Sequence, residues 1–404
     1  MTANIDRATR YHHVVIIGGG NAGISLAARL RRYGVNNIAV VEPSERHLYQ
    51  PLFSHIAGGT AEPEEAVRPQ SSVIPRGVTW IKDSVVEVQP LSNTVLLQSG
   101  GRVGYGQVVV CPGIQKNWDA VPGLREAMDS PFGVSNYEFE FAAKAWTLFR
   151  SLRKGTVVFT MPSGPITCGG ASQKPMYLAC DYWREQGVLD NIRVVLVVPT
   201  PTVFGSDVVD QELNRKIAEY GIELRCSSEL TEVDAAARTV LIRDTLTDSS
   251  EQLTYDVLHA APPQSAPDWL KTLSDEADSG GFVAVDPLSL RHVRFPTVWS
   301  LGDAAGTRNS KSGAALRKQT MVLAKNLRSV IKGQQPKARY DGYSACPFTV
   351  SRSTVVFAEF DDRYRPKPTI PGWKGLAKEK RLTWLIERYG FPRLYWHFIL
   401  KGRA

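Results

Sequence analysis

The stretch His12–Glu42, HHVVIIGGGNAGISLAARLRRYGVNNIAVVE, decides the fold. Its opening HHVVII is a short apolar, β-branched run that reads as a buried parallel strand. ISLAARLRRYG reads as a helix closing at Gly34, and NIAVVE as a second strand ending on Glu42. Gly18, Gly20 and Gly23 stand in G-x-G-x-x-G register, and the acid follows the last glycine by 19 residues. Glycines at that spacing let backbone approach a pyrophosphate, whose charge faces the helix N-terminus, while the carboxylate accepts from an adenosine ribose. A plain loop is the alternative, and the strand, helix and acid together weigh against it.

Two later segments choose the dinucleotide. YGQVVVCPG (Tyr105–Gly113) reads as a strand and a tight turn ending on Gly113, and FPTVWSLGDAAG (Phe295–Gly306) as a strand, Gly302 and Asp303, and a helix start. A second strand–GD–helix far downstream favours FAD over NAD, because a long flavin needs a second anchor for its ribityl and pyrophosphate groups.

Between these halves TVVFTMP, IRVVLVVP and IELRC read as strands, separated by helices near Lys174–Glu185 and Gln211–Tyr220. The expected fold class is α/β with two Rossmann-like, doubly wound domains, the FAD domain split by the second. The expected division is 1–118 for the first FAD part, 119–280 for the second Rossmann-like domain, 281–340 for the second FAD part and 341–404 for the C-terminal region.

The second domain has the scaffold of a nicotinamide site without its ligands. Pro162 and Pro165 cannot donate N–H groups at the turn, and Pro199-Thr200-Pro201 ends the next strand with no carboxylate. In that turn stands Cys168, between Thr167 and a glycine pair, ahead of a helix whose N-terminus would lower a thiol's pKa. A lone loop cysteine is more often a small buried apolar residue. A second thiol, Cys346 in YDGYSACPF, shifts that balance, since it too sits in a turn-like stretch. Cys180 reads as helix core, Cys226 ends a strand and Cys111 lies in the turn after one; these three read as structural.

Composition sets the bounds. The chain has 404 residues, 43% apolar and 22% charged, ordinary for a globular protein of two or three domains. The net charge of +8 suits an anionic surface or partner, without a nucleic-acid motif. Five cysteines with no CxxC pair suggest neither a disulfide scaffold nor a metal site. The first strand starts too early for an apolar signal peptide ahead of it, and no apolar run is long enough to span a bilayer.

GGGNAG with Glu42, TCGGASQK around Cys168, WSLGDAAG, and YSACPFTVSRSTVVFAEFD around Cys346 together resemble the sulfide:quinone oxidoreductases, closest to the branch that includes the mitochondrial enzymes. The likeness covers nearly the whole chain, and the two cysteine contexts are its most specific parts. It implies that Cys168 and Cys346 flank the flavin as a redox-active disulfide or sulfur-bridged pair. Hydrosulfide would open the bridge by thiol–disulfide exchange, leaving a persulfide on Cys346 and a thiolate at Cys168. Two electrons would pass through FAD to ubiquinone or menaquinone, and a sulfide, sulfite, cyanide or glutathione acceptor would remove the sulfane sulfur. The resemblance implies no catalytic role for Cys111.

The C-terminus carries the electron acceptor's side of that expectation. Eight bases against two acids, Glu379 and Glu387, give residues 371–404 a local charge of +6. Leu382, Leu385, Ile386 and Tyr389 recur at helical spacing, Phe391, Leu394, Tyr395, Phe398 and Ile399 continue it, and Pro371 and Pro392 read as two helix starts. With Trp373, Trp384 and Trp396 among the bases, this suits an amphipathic helix pair in an anionic membrane interface, hence a peripheral (monotopic) membrane protein. A helix packed on the core with a solvated basic face fits the pattern equally; the lipid-borne quinone of the resembled family favours the membrane. Lys311 or Lys318 could approach the flavin, with a solvated lysine as the plain alternative. HLYQP (His47–Pro51) could wall the cofactor pocket or be a plain loop, and Phe357 and Phe360 could line a quinone channel or pack in the core.

Rival readings are a type II NADH:quinone oxidoreductase, which needs the second fingerprint this chain lacks, a flavocytochrome sulfide dehydrogenase subunit, which needs export, and a non-catalytic FAD-binding redox protein, which needs no thiol pair.

Overall fold

The computed structural model describes residues 10–275, 280–369 and 377–404. The expected helix start at Pro371 and the neighbouring Trp373 lie outside them.

The His12–Glu42 stretch forms the centre of the first sheet. Strand Arg10–Ile17 lies between Ile38–Val41 and Arg102–Val110, all parallel, with Val78–Ile81 beyond Ile38–Val41. Val298–Ser300 pairs in parallel with the C-terminal end of Arg102–Val110, while the antiparallel strand Thr94–Leu97 takes its N-terminal end. The strands are buried on both faces, which is why they read as unbroken apolar runs. Helix Asn21–Arg32 crosses over, and chain order reverses beside Arg10–Ile17. The glycine turn therefore opens at a topological switch point, where such sheets hold ligands.

The second sheet is also parallel, in the order Gly133–Val134, Val257–Ala260, Gly155–Thr160, Ile192–Val197, Glu223–Arg225. Helices Lys174–Glu185 and Asp207–Glu219 make its crossovers. Where the chain passes between the sheets, Gln115–Lys116 and Gln264–Ser265 pair antiparallel.

Two expectations change. Cys346 is not in a turn: it lies in strand Ser344–Thr349, opposite Ala358 of strand Val355–Phe360. The tolerance of a two-stranded hairpin for Pro347 explains the misreading, since only a paired edge needs the missing N–H. The C-terminus is also not two helices divided at Pro392. From Arg381 to Ile399 α and π turns follow one another without a break, and Pro392 lies inside. The wider turn Ile386–Gly390 gives the proline ring room against the carbonyl four residues back, the clash that otherwise breaks a helix.

Candidate active site

The glycine turn is shaped as a cradle. A Cβ on Gly18 would stand 2.3 Å from the Cys111 carbonyl oxygen and one on Gly23 1.9 Å from the Gly18 oxygen, so neither position admits a side chain. A Cβ on Gly20 would meet nothing within 4 Å. Helix Asn21–Arg32 starts with no capping side chain and no acid in its first turn, which leaves its N–H groups for an outside anion. Glu42 accepts from the Gly19 N–H at 2.7 Å, beside that opening. On the other side Gly113 and Gly302 both take left-handed backbone, at φ +87° and +74°. Asp303 is deep enough that burial raises its carboxyl pKa, against the pull of Lys311. Uncapped amides, an acid beside them and a second buried acid–base pair fit an FAD.

The Cys168 loop is pinned to this second anchor. The Cys168 N–H donates to the Lys311 carbonyl at 2.8 Å, Thr167 Oγ1 donates to Asp303 Oδ2 at 3.2 Å, and the Thr167 N–H donates to Gln264 Oε1 at 2.8 Å. Gln264 Nε2, His259 Nδ1 and Asn136 Oδ1 are buried without a partner, and the Asn136 amide reaches the same loop through the Ala171 carbonyl. Cys168 itself has φ +48°, a left-handed conformation that a non-glycine residue adopts only under tertiary constraint.

The hairpin brings Cys346 to the same place. Ser344 Oγ donates to the Ser310 carbonyl at 3.0 Å, and the Cys168 and Cys346 sulfurs are 3.3 Å apart, unbonded. Gly170 permits the approach, since a Cβ there would lie 2.6 Å from Cys346 Sγ and 2.4 Å from the Phe348 ring. The Cys346 thiol, acting as hydrogen-bond partner, lowers the Cys168 pKa; burial opposes and the Lys174 ammonium assists. Cys346 is pushed well above the ordinary thiol range by the same partnership and by burial. The two thiols are thus unequal: Cys168 is the one poised as thiolate. The source is the partner thiol and Lys174; the helix that was expected to lower it begins six residues later.

The remaining cysteines lie elsewhere. Cys180 is fully buried in its helix, Cys226 is half-buried after a strand, and burial raises the thiol of Cys111 behind the Gly18 turn.

Of the two lysines, Lys311 is buried against Phe282 and donates to the Ala305 carbonyl, whereas Lys318 pairs with Asp341 at 3.3 Å near the surface. His47 is buried with Nδ1 on the Gly19 carbonyl and Nε2 2.6 Å from Tyr395 Oη, so this residue of HLYQP packs against the glycine turn.

The C-terminal helix divides into two faces. Leu382, Leu385, Ile386, Tyr389 and Phe398 are exposed, between 41% and 58%. Trp396 is not among them: it is 5% exposed, edge-on to His47 and tilted against Tyr49, with the Arg68 guanidinium over it. Trp384 is half-buried, edge-on to Tyr389. Phe360 packs in the core against Phe204 and Tyr364, and Phe357 faces Phe391 of this helix. Among the described residues no helix is long and apolar enough to cross a membrane.

Sequence reasoning missed the polar anchors of this helix and of the residues just before it. Arg388 forks onto both oxygens of Glu65, at 2.9 and 2.6 Å, Glu379 meets Lys216 at 3.3 Å, and Glu387 meets His55 at 3.1 Å. The available signal was the two acids in an otherwise basic segment, which a purely solvated or lipid-facing helix does not require.

The chain matches the family model described as pyridine nucleotide-disulphide oxidoreductase over residues 12–326. It is 35% identical to the mitochondrial sulfide:quinone oxidoreductase of Mus musculus, covering 98% of this chain and 88% of that protein. The Dictyostelium discoideum counterpart is 33% identical, covering 96% and 86%. The structure of the sulfide:quinone oxidoreductase from Aquifex aeolicus superposes with a TM-score of 0.81 at 17% identity, over 98% of this chain and 92% of that one.

Proposed function

Because the chain belongs to the sulfide:quinone oxidoreductases within the pyridine nucleotide-disulphide oxidoreductase family, we propose that Cys168 and Cys346 are the dithiol pair through which it works. The protein is an FAD-dependent oxidoreductase that oxidises sulfide and reduces a quinone. The observation that carries the dithiol reading is the 3.3 Å separation of two sulfurs held against the second FAD anchor.

Bound FAD supplies the two-electron acceptor between sulfide and quinone. Gly18, Gly20 and Gly23 would hold its pyrophosphate and Glu42 its ribose; Gly113, Gly302, Asp303 and Lys311 would hold the flavin end. In the oxidised enzyme the cysteines form a bridge; hydrosulfide attacks Cys346, the S–S bond breaks, a persulfide forms on Cys346 and Cys168 leaves as thiolate. Cys168 leaves as a thiolate supported by the Lys174 ammonium, which lowers its pKa. A sulfite, sulfide or glutathione nucleophile then takes the sulfane sulfur and leaves Cys346 as a thiolate, and the bridge between Cys168 and Cys346 re-forms as the pair gives up the two electrons that FAD would accept. The reading as a type II NADH:quinone oxidoreductase is weaker, because Pro162 and Pro165 remove donors where a nicotinamide dinucleotide would need them.

The division into an FAD domain split at 119–280 and a C-terminal region from 341 is part of the proposal. So is membrane docking: the exposed face Leu382, Leu385, Ile386, Tyr389 and Phe398, edged by Lys and Arg, suits an anionic lipid interface where the quinone resides.

The deciding experiment mixes the Cys168→Ser holoenzyme with sulfide under nitrogen. The flavin should stay bound and stay oxidised, while wild type bleaches and NADH bleaches neither. Bleaching of the variant at the wild-type rate would refute the dithiol reading.

A further inference from the structure

Glu387 belongs to the C-terminal helix, yet its carboxylate turns away from the exposed Leu385 and Ile386 and is 7% exposed. Oε2 lies 3.1 Å from His55 Nε2 and accepts from Thr349 Oγ1 at 2.8 Å, and Oε1 lies 3.8 Å from the Lys174 ammonium. Thr349 stands three residues after Cys346 on the same strand, and Lys174 opens the helix six residues after Cys168. One carboxylate therefore grips both cysteine-bearing segments from the helix proposed to meet the membrane. A buried ion pair stabilises little compared with apolar packing, so stability alone is a weak reason for placing one here.

We propose that Glu387 is a positioning residue for the sulfur chemistry: by holding Thr349 and Lys174 together it sets the two thiols and the neighbouring ammonium, and so makes their reactivity depend on the docked C-terminal helix. This rests on the dithiol reading above.

The charges around the pair give the proposal a sign. Cys168 faces Cys346, Lys174 and Glu387, with the phenols Tyr137 and Tyr364 also within electrostatic reach of both sulfurs. Glu387 faces His55 and Lys174, with Tyr49 nearby. Burial opposes the Lys174 charge, and Cys168, Glu387 and Cys346 together sustain it. The single ammonium is shared between a carboxylate and a thiolate. Neutralising the carboxylate leaves the ammonium to the thiolate, and neutralising the ammonium strips the thiolate of support.

The test alkylates the dithionite-reduced, FAD-loaded enzyme with iodoacetamide between pH 5 and 9 and follows the Cys168 peptide by mass spectrometry. Glu387→Gln should react about threefold or more faster than wild type at pH 5, where most of the wild-type thiol is still protonated, Lys174→Gln about tenfold slower, and Lys174→Arg should recover most of the rate. A brace without electrostatic consequence would leave the pH profile of Glu387→Gln on that of wild type, and that result overturns the proposal. Glu387→Asp, which keeps the charge but shortens the reach, covers the case in which the amide fails to fold. Its profile should stay in place while sulfide reduces its flavin more slowly, and an unchanged reduction rate overturns the proposal equally. Failure of the dithiol reading shows separately, as flavin bleaching in Cys168→Ser whatever the alkylation profiles do.

Discussion

Cys168 and Cys346 are 178 residues apart in the chain and 3.3 Å apart at their sulfurs, with Gly170 as the residue that lets them meet. Each reaches that point by a different route. A strained loop pinned to Lys311 and Asp303 brings one, and a hairpin fastened to Ser310 brings the other.

Gly170→Ala should separate the pair. The added methyl would overlap Cys346 Sγ and the Phe348 ring, overpacking that costs about 1–3 kcal/mol when the surroundings yield. FAD should remain bound while flavin reduction by sulfide slows by as much as about a hundredfold. Stopped-flow absorbance against sulfide reads this directly; an unaltered rate would mean that the thiol spacing is not critical.

Gly23→Val tests the cradle. Its Cβ would sit 1.9 Å from the Gly18 carbonyl, which is backbone and has no way to yield. The purified variant should be colourless, and the absorbance ratio of flavin to protein checks it. A yellow variant with wild-type FAD content would place the pyrophosphate elsewhere.

The outward face of the C-terminal helix should carry membrane binding. Replacing Leu385 and Ile386 together by Asp leaves the buried anchors Glu387 and Arg388 unchanged, since both altered side chains lie on the exposed face. Each apolar side chain contributes about 1.5–3 kcal/mol when fully transferred from water, so partitioning onto anionic vesicles should fall about tenfold or more. Sulfide reduction of FAD should persist and quinone reduction should drop. Equal sedimentation of variant and wild type with vesicles would instead leave this helix as a surface element of the core.

Acid should release the same helix before the core unfolds. Burial acts to raise Glu387, but His55 first and then Lys174 and Thr349 outweigh it and hold its pKa below the ordinary 4.5. Glu65 and Glu379 are likewise lowered, mainly by Arg388 for the first and by Thr354 and Arg215 for the second, against burial. A lowered folded pKa means that the stabilisation is complete above the unfolded value and fades as pH falls through the folded one. Peptic cleavage within 377–404 should therefore appear below about pH 4.5, ahead of the loss of FAD; simultaneous loss would mean that the helix and core unfold as one unit.

The dinucleotide half was legible because its physics is local. Gly18, Gly20, Gly23 and Glu42 act within one βαβ unit, and their spacing is set by a turn and one helix. The loss of nicotinamide chemistry was legible for the same reason, since Pro162 and Pro165 lack donors wherever the turn is placed. Cys346 in a strand and the unbroken helix through Pro392 were not legible, because a lone hairpin and a π turn relax the rules that proline follows in regular elements. Nor could Trp396 be assigned: an aromatic among bases reads the same whether lipid or His47 and Arg68 receive it.

Sequence alone determined the two α/β scaffolds, the cofactor class and the two thiols worth comparing, since each follows from short-range pattern and residue chemistry. Tertiary structure alone decided which thiol is the more acidic and that Glu387 joins the C-terminal helix to both. Those properties come from charges and donors contributed by separate elements, and electrostatic and hydrogen-bonding strength falls with distance in space, not along the chain.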